Sequence, residues 1–65
     1  MSEAYFLQKC IVTAEDAKGS YTDMSLMEDV DSAAKTAYEG MVSDIGKHLI
    51  FLNARLNYLN QRNEN

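Results

Sequence analysis

Proline is absent from the sequence, cysteine and histidine occur once each, and glycine occurs three times. A lone Cys10 rules out an intrachain disulfide. Cys10 and His48 together fall short of the four ligands that a structural zinc site takes. Glu28, Asp29 and Asp31 cluster, but the spaced Asp ligands, the glycine and the distal Glu of a calcium loop are missing. No metal and no cofactor is expected. Long apolar runs are missing too. The longest, residues 48–52, is far short of the ~20 residues that span a bilayer, and no basic segment followed by an apolar run marks a signal peptide. A cytoplasmic protein with a reduced thiol and no membrane contact is the expectation. Basic residues are outnumbered, six against ten acids, for a net charge of −4. That balance disfavours nucleic acid and anionic lipid as partners and permits a basic protein.

Catalytic groupings are equally scarce. His48 follows Asp44 by one helical turn, a pair that could act as a weak base, yet no nucleophile accompanies it. Cys10 is expected to face inward, where thiols are inert. Without a third, orienting group there is no Cys–His machinery. No enzyme is expected.

A chain of 65 residues makes a single domain, 1–65, which buries only about 60% of its unfolded surface and is marginal alone. With disulfide and metal excluded, self-association is the remaining remedy.

The organisation turns on residues 3–27. Leu7, Cys10, Ile11, Ala14 and Ala17 fall at helical spacing, with Ser2 as a possible N-cap and Gly19 as a C-terminal glycine. Against a helix stand the poor helix formers of residues 10–13, three of them β-branched in a row. Asp16-Ala17-Lys18-Gly19 has the composition of a type I turn closing on a left-handed glycine, and residues 21–26 alternate polar with apolar. A three-residue loop pairs Asp16 with Ser20, Ala14 with Thr22, Val12 with Met24 and Cys10 with Leu26. One face then carries Phe6, Cys10, Val12, Ala14, Met24 and Leu26. The other carries Tyr5, Leu7, Ile11, Tyr21 and Met27. The reading adopted is α+β, with a β-hairpin over about 4–27 followed by one long helix over about 29–62 and a frayed tail at 63–65. An all-α helical hairpin is the alternative.

Helix signals are plainer from residue 29 onward. Asp29 or Asp31 can cap the start, and the acids there complement the positive end of the dipole. Ala33, Ala34, Ala37, Met41 and Ile45 form a first apolar stripe, and Ala33, Ala37 and Gly40 are expected to pack closely on the hairpin. Ile45, Leu49, Leu52, Leu56 and Leu59 continue as a heptad seam. An unbroken helix would be about 50 Å long at ~1.5 Å per residue, against hairpin strands of about 27 Å at ~3.3 Å per residue. Half the seam would then meet water, at around 2 kcal/mol per exposed leucine. Either Gly46 breaks the helix, without the proline or Asn-Gly that normally punctuates a fold-back, or a second chain covers the seam. The second solution is preferred, giving a dimer. Arg55 and Arg62, seven apart, could hold the acidic half of a neighbouring helix in an antiparallel arrangement.

The expected function is a small, acidic, non-enzymatic protein–protein interaction module acting as a homodimer. Adaptors, inhibitors and antitoxin-like proteins of this size, many of them phage or mobile-element encoded, are the analogy. The expected interaction residues are Tyr5, Leu7, Ile11, Tyr21, Ile45, Leu49, Leu52, Leu56, Leu59 and Arg55. Two other classes are open: a ribbon-and-helix regulator of nucleic acid, which would need a basic ribbon, and a small-ligand binder with Tyr5, Tyr21 and His48 at a dimer interface.

Overall fold

The computed structural model describes residues 1–63. They form two α-helices, α1 over Glu3–Leu26 and α2 over Ser32–Asn63, joined by a loop at 27–31. The helices pack antiparallel along one another, so that Glu3 meets Arg55 at the open end and Tyr21 meets Tyr38 near the loop. The molecule is a rod of 52 × 17 × 12 Å. Among the described residues there is no strand, which overturns the α+β reading and its β-hairpin over 4–27. The all-α helical hairpin is the architecture found.

The start of α1 is set by Ser2. Its backbone is extended (φ −99°, ψ 164°) and its Oγ accepts from the Tyr5 amide at 3.2 Å, which satisfies one of the donors a helix start leaves open. From there α1 runs through residues 10–13 and through Asp16-Ala17-Lys18-Gly19 without interruption. Gly19 lies within α1 in helical backbone, and no described residue has positive φ. The expected turn is therefore absent. The helix ends at Leu26, where the Met27 amide donates to the Met24 carbonyl at 3.3 Å. Asp31 then caps α2. Its side chain accepts from the Ala34 amide at 2.8 Å, and its carbonyl from Lys35 at 3.0 Å. Ser25 lies inside α1 and donates its hydroxyl to the Thr22 carbonyl at 2.7 Å.

Packing explains why helix prevails over strand in residues 3–26. Ala4, Leu7, Ile11, Ala14, Lys18, Tyr21 and Ser25 are spaced 3 and 4 apart throughout, and each is buried or half-buried. On α2 the same holds for Lys35, Tyr38, Val42, Ile45, Leu49, Leu52, Leu56 and Leu59. Two seams of this spacing keep facing one another along an antiparallel coiled coil. The β-branched triplet Ile11-Val12-Thr13 costs at most ~0.7 kcal/mol per residue in helix propensity. Covering leucines is worth around 2 kcal/mol each, so the seam decides. Gly46 does not break α2 either. The helix is continuous through it, and the leucine seam expected to face a second chain faces α1 of its own chain instead. Ala33, Ala37 and Gly40 point the other way and are exposed, so their expected role against a hairpin is not realised.

A two-helix contact leaves little interior. Leu7, 8% exposed, is the single buried residue among those described. Leu7→Ala should therefore lower stability by about 2 kcal/mol, the low end for such truncations because the site lies close to solvent. Ile50→Ala, at 74% exposure, should stay within ±0.5 kcal/mol; chemical denaturation followed by circular dichroism measures both. Gly19→Ala separates the two architectures. A methyl group there meets nothing within 4 Å, so the helix should gain about 0.5–1 kcal/mol, whereas a left-handed turn glycine would lose stability.

Candidate interaction surface

Each helix of the hairpin has two edges beside the seam, and the two edges of the molecule differ. Glu15, Lys18, Gly19, Thr22 and Asp23 of α1, with Leu49, line a shallow groove of mostly polar residue types on one of them. Gln8, Glu15 and Thr22 recur every seven residues there. On α2 the corresponding line is Glu39, Gly46, Asn53 and Asn60. Val12, Leu26 and Ile50 are exposed farther round on that side, scattered among polar neighbours.

The other edge is apolar. Phe6, Cys10, Thr13, Ala14 and Ala17 of α1 and Ile45 and His48 of α2 line one open groove of about 480 Å³, with the Lys9 side chain at its rim. A residue seven places along a coiled-coil helix occupies the same face. Cys10 and Ala17 are therefore continued by Met24, and His48 by Met41 in one direction and Arg55 in the other. The Glu3–Arg55 ion pair checks this register independently. Glu3 lies seven residues before Cys10 and Arg55 seven after His48, and the two meet across the hairpin. Phe51, next to His48's line at i+3, is 66% exposed, and Phe6 is 51% exposed. Tyr58 continues the Phe51 line and lies beneath the guanidinium groups of Arg55 and Arg62, at 5.4 and 5.7 Å from its ring centre.

Charge divides along the rod. Residues 16–47, the half toward the loop, hold seven of the ten acids and three of the six bases. The described residues of the open half hold two acids and three bases, both arginines among them. There the Arg55 Nε donates to Glu3 Oε2 at 2.7 Å, and its Nη2 to Oε1 at 2.9 Å. This bidentate pairing, through its hydrogen bonds above all, holds the Glu3 carboxyl below the usual carboxylate range and raises the guanidinium above its ordinary value.

The expected interaction residues divide accordingly. Leu7, Ile11, Tyr21, Ile45, Leu49, Leu52, Leu56 and Leu59 lie in the intrachain seam. Tyr21 stacks on Tyr38 with centroids 6.1 Å apart and planes inclined by 26°. Tyr5 is on the outside of α1, packed edge-on against Phe6 and with Lys9 5.4 Å above its ring. Arg55 reaches Glu3. Tyr5, Tyr21 and His48 do not converge, so no ligand pocket forms from them within the chain. Cys10 is exposed, a correction to its expected inward position on a strand. The exposed apolar edge built on Phe6, Met41, His48 and Phe51 was not anticipated; the seven-residue recurrence Cys10-Ala17-Met24 is the signal that marks it once α1 is a helix.

Among the described residues no group of three or more His, Cys, Asp or Glu side chains is placed to hold a metal ion, and no helix is long and apolar enough to cross a membrane. The chain matches no known family model, no curated protein and no solved structure.

The lowered Glu3 value gives a direct test of the clasp. A carboxyl depressed in the folded state contributes stability above its unfolded pKa and loses it as pH falls through the folded one. The clasp should hold at neutral pH and open below the usual carboxylate range. Titration of Glu3 by NMR should show the depressed midpoint, and Arg55→Gln should return it to an ordinary carboxylate value.

Proposed function

We propose that this chain is a small, non-enzymatic protein–protein interaction module that works as a homodimer of helical hairpins in the cytoplasm. The observation that carries this reading is the continuous apolar edge running through Phe6, Cys10, Ala17, Met41, His48 and Phe51. Contiguous exposed apolar surface of this kind marks interaction sites in soluble proteins. A hairpin with one buried residue also needs further burial to persist, because domains of this size are marginal even with a closed core. No grouping of nucleophile, base and orienting residue competes with this surface for a role. A ribbon-and-helix regulator lacks its ribbon among the described residues. The acidic loop half supports a basic protein as the further partner of the assembled module. Adaptors, inhibitors and antitoxin-like proteins, including those of bacteria and phages, work in this way, and the likeness is one of size, charge and surface.

Phe51→Glu puts a charge into the proposed contact and should weaken self-association at least about tenfold, as loss of a central aromatic does. Val12→Glu, on the outer side of α1, should leave association unchanged. Sedimentation equilibrium over a dilution series measures both. Equal behaviour of the two variants would remove the apolar edge from the interface.

A further inference from the structure

We infer that the occupant of the apolar edge is a second copy of this chain in antiparallel alignment, forming a four-helix bundle in which the loop end of each hairpin lies against the open end of the other. The inference rests on the dimeric reading above and adds its geometry. The whole hairpin is 52 Å long and 17 Å across, so one broad side has room for the ~800 Å² per partner of a stable interface.

The direction follows from what each end presents. Toward the open end the edge carries aromatic rings, Phe6 and Phe51. Toward the loop it carries methionines, Met24 and Met41, with alanines beside them. Antiparallel docking sets rings against pliable thioethers and small side chains, a favourable contact. Parallel docking would set rings on rings and leave methionine on alanine.

Charge selects the same direction. Counted from the middle of the hairpin at ~1.5 Å per residue, the loop acids lie about 20 Å to one side, and Arg55 and Arg62 about 16 and 26 Å to the other. Antiparallel docking therefore brackets the partner's Glu28, Asp29 and Asp31 with two arginines. Parallel docking stacks acid on acid.

Helix length adds a third point. With 32 residues against 24, α2 extends beyond the start of α1, and this overhang, which carries Tyr58 and Arg62, is where the partner's loop would lie. Two-fold docking in this direction lays α1 on the partner's α1. The same measure puts Cys10 about 7 Å to one side of the middle and Ala17 about 4 Å to the other, and both line the apolar groove. Within one chain they are two helical turns apart. Across the antiparallel interface they come to nearly one level on facing helices.

Sedimentation equilibrium of the unaltered chain should give twice 7.3 kDa. Ala17→Cys, which keeps Cys10, should form an intermolecular disulfide under mild oxidation. Cys10 alone, and Ala17→Cys combined with Cys10→Ser, should each cross-link at least about tenfold more slowly. Arg62→Glu, which leaves the apolar edge intact, should weaken the dimer a few-fold at low salt, with the effect fading as salt rises. A monomeric unaltered chain overturns both this inference and the dimeric reading beneath it. A dimer in which Cys10 alone cross-links as fast as the pair, or which ignores Arg62→Glu at low salt, overturns the antiparallel arrangement and leaves the dimer standing.

Discussion

The contact on which everything else rests is the line of side chains that α1 and α2 close against each other. Spacings of 3 and 4 persist from Ala4 to Ser25 on one helix and from Lys35 to Leu59 on the other. A helix obeying that spacing has a fixed inner direction along its whole length. The edges of the molecule, its outer faces and the pairing of Glu3 with Arg55 are consequences of that direction. So is the shape. Two helices share one strip of contact, and among the described residues no third element closes over it, which is why Leu7 is the one described residue with core-like burial.

A strip is not enough to hide the apolar side chains this sequence carries. How the surplus is distributed matters more than its amount. Glu15, Thr22, Glu39, Asn53 and Asn60 keep one edge wet, while Phe6, Cys10, Met24, Met41 and Phe51 keep the other dry. If both edges were apolar, hairpins could add on either side, and association would continue without closing. A single sticky edge permits one neighbour, and the resulting pair hides it from both sides. Closed two-fold pairing is the arrangement such a surface favours.

Much of α2 was legible in the sequence. The leucines at 49, 52, 56 and 59 specify both the helix and its inner face, and Asp31 is an ordinary cap. Residues 3–26 were misjudged because local preference was weighed above pattern. Ile11-Val12-Thr13 is a poor helical triplet, and Asp16-Ala17-Lys18-Gly19 reads as a turn in isolation. Yet Leu7, Ile11, Ala14 and Tyr21 stand in the same 3–4 spacing as the α2 seam, and two matching seams outweigh a few tenths of a kcal/mol per residue. Ser2 has a capping role only in the helical alternative, and that is the role the structure gives it. The apolar edge was illegible for a related reason. On a hairpin, Cys10 and Met24 share a face with Val12 and Ala14 while Ala17 falls in the turn, and only a helix lines the three up along an outer edge.

The same misjudgement shifted the leucine seam from an internal role to an external one, and the correction changes what dimerisation has to accomplish. A seam that packs on α1 no longer requires a partner to be covered. What is left for the proposed partner to cover is the flank beside it, built from rings, thioethers and a thiol. Folding and association are then linked by mass action. A hairpin whose own contact is thin gains stability with every increment of partner concentration. It should also loosen first at the open end, where α2 outruns α1 and the Glu3–Arg55 clasp stands in solvent. In the proposed dimer, stability is therefore a property of the pair as much as of the chain, and the apolar edge becomes part of what keeps each copy folded.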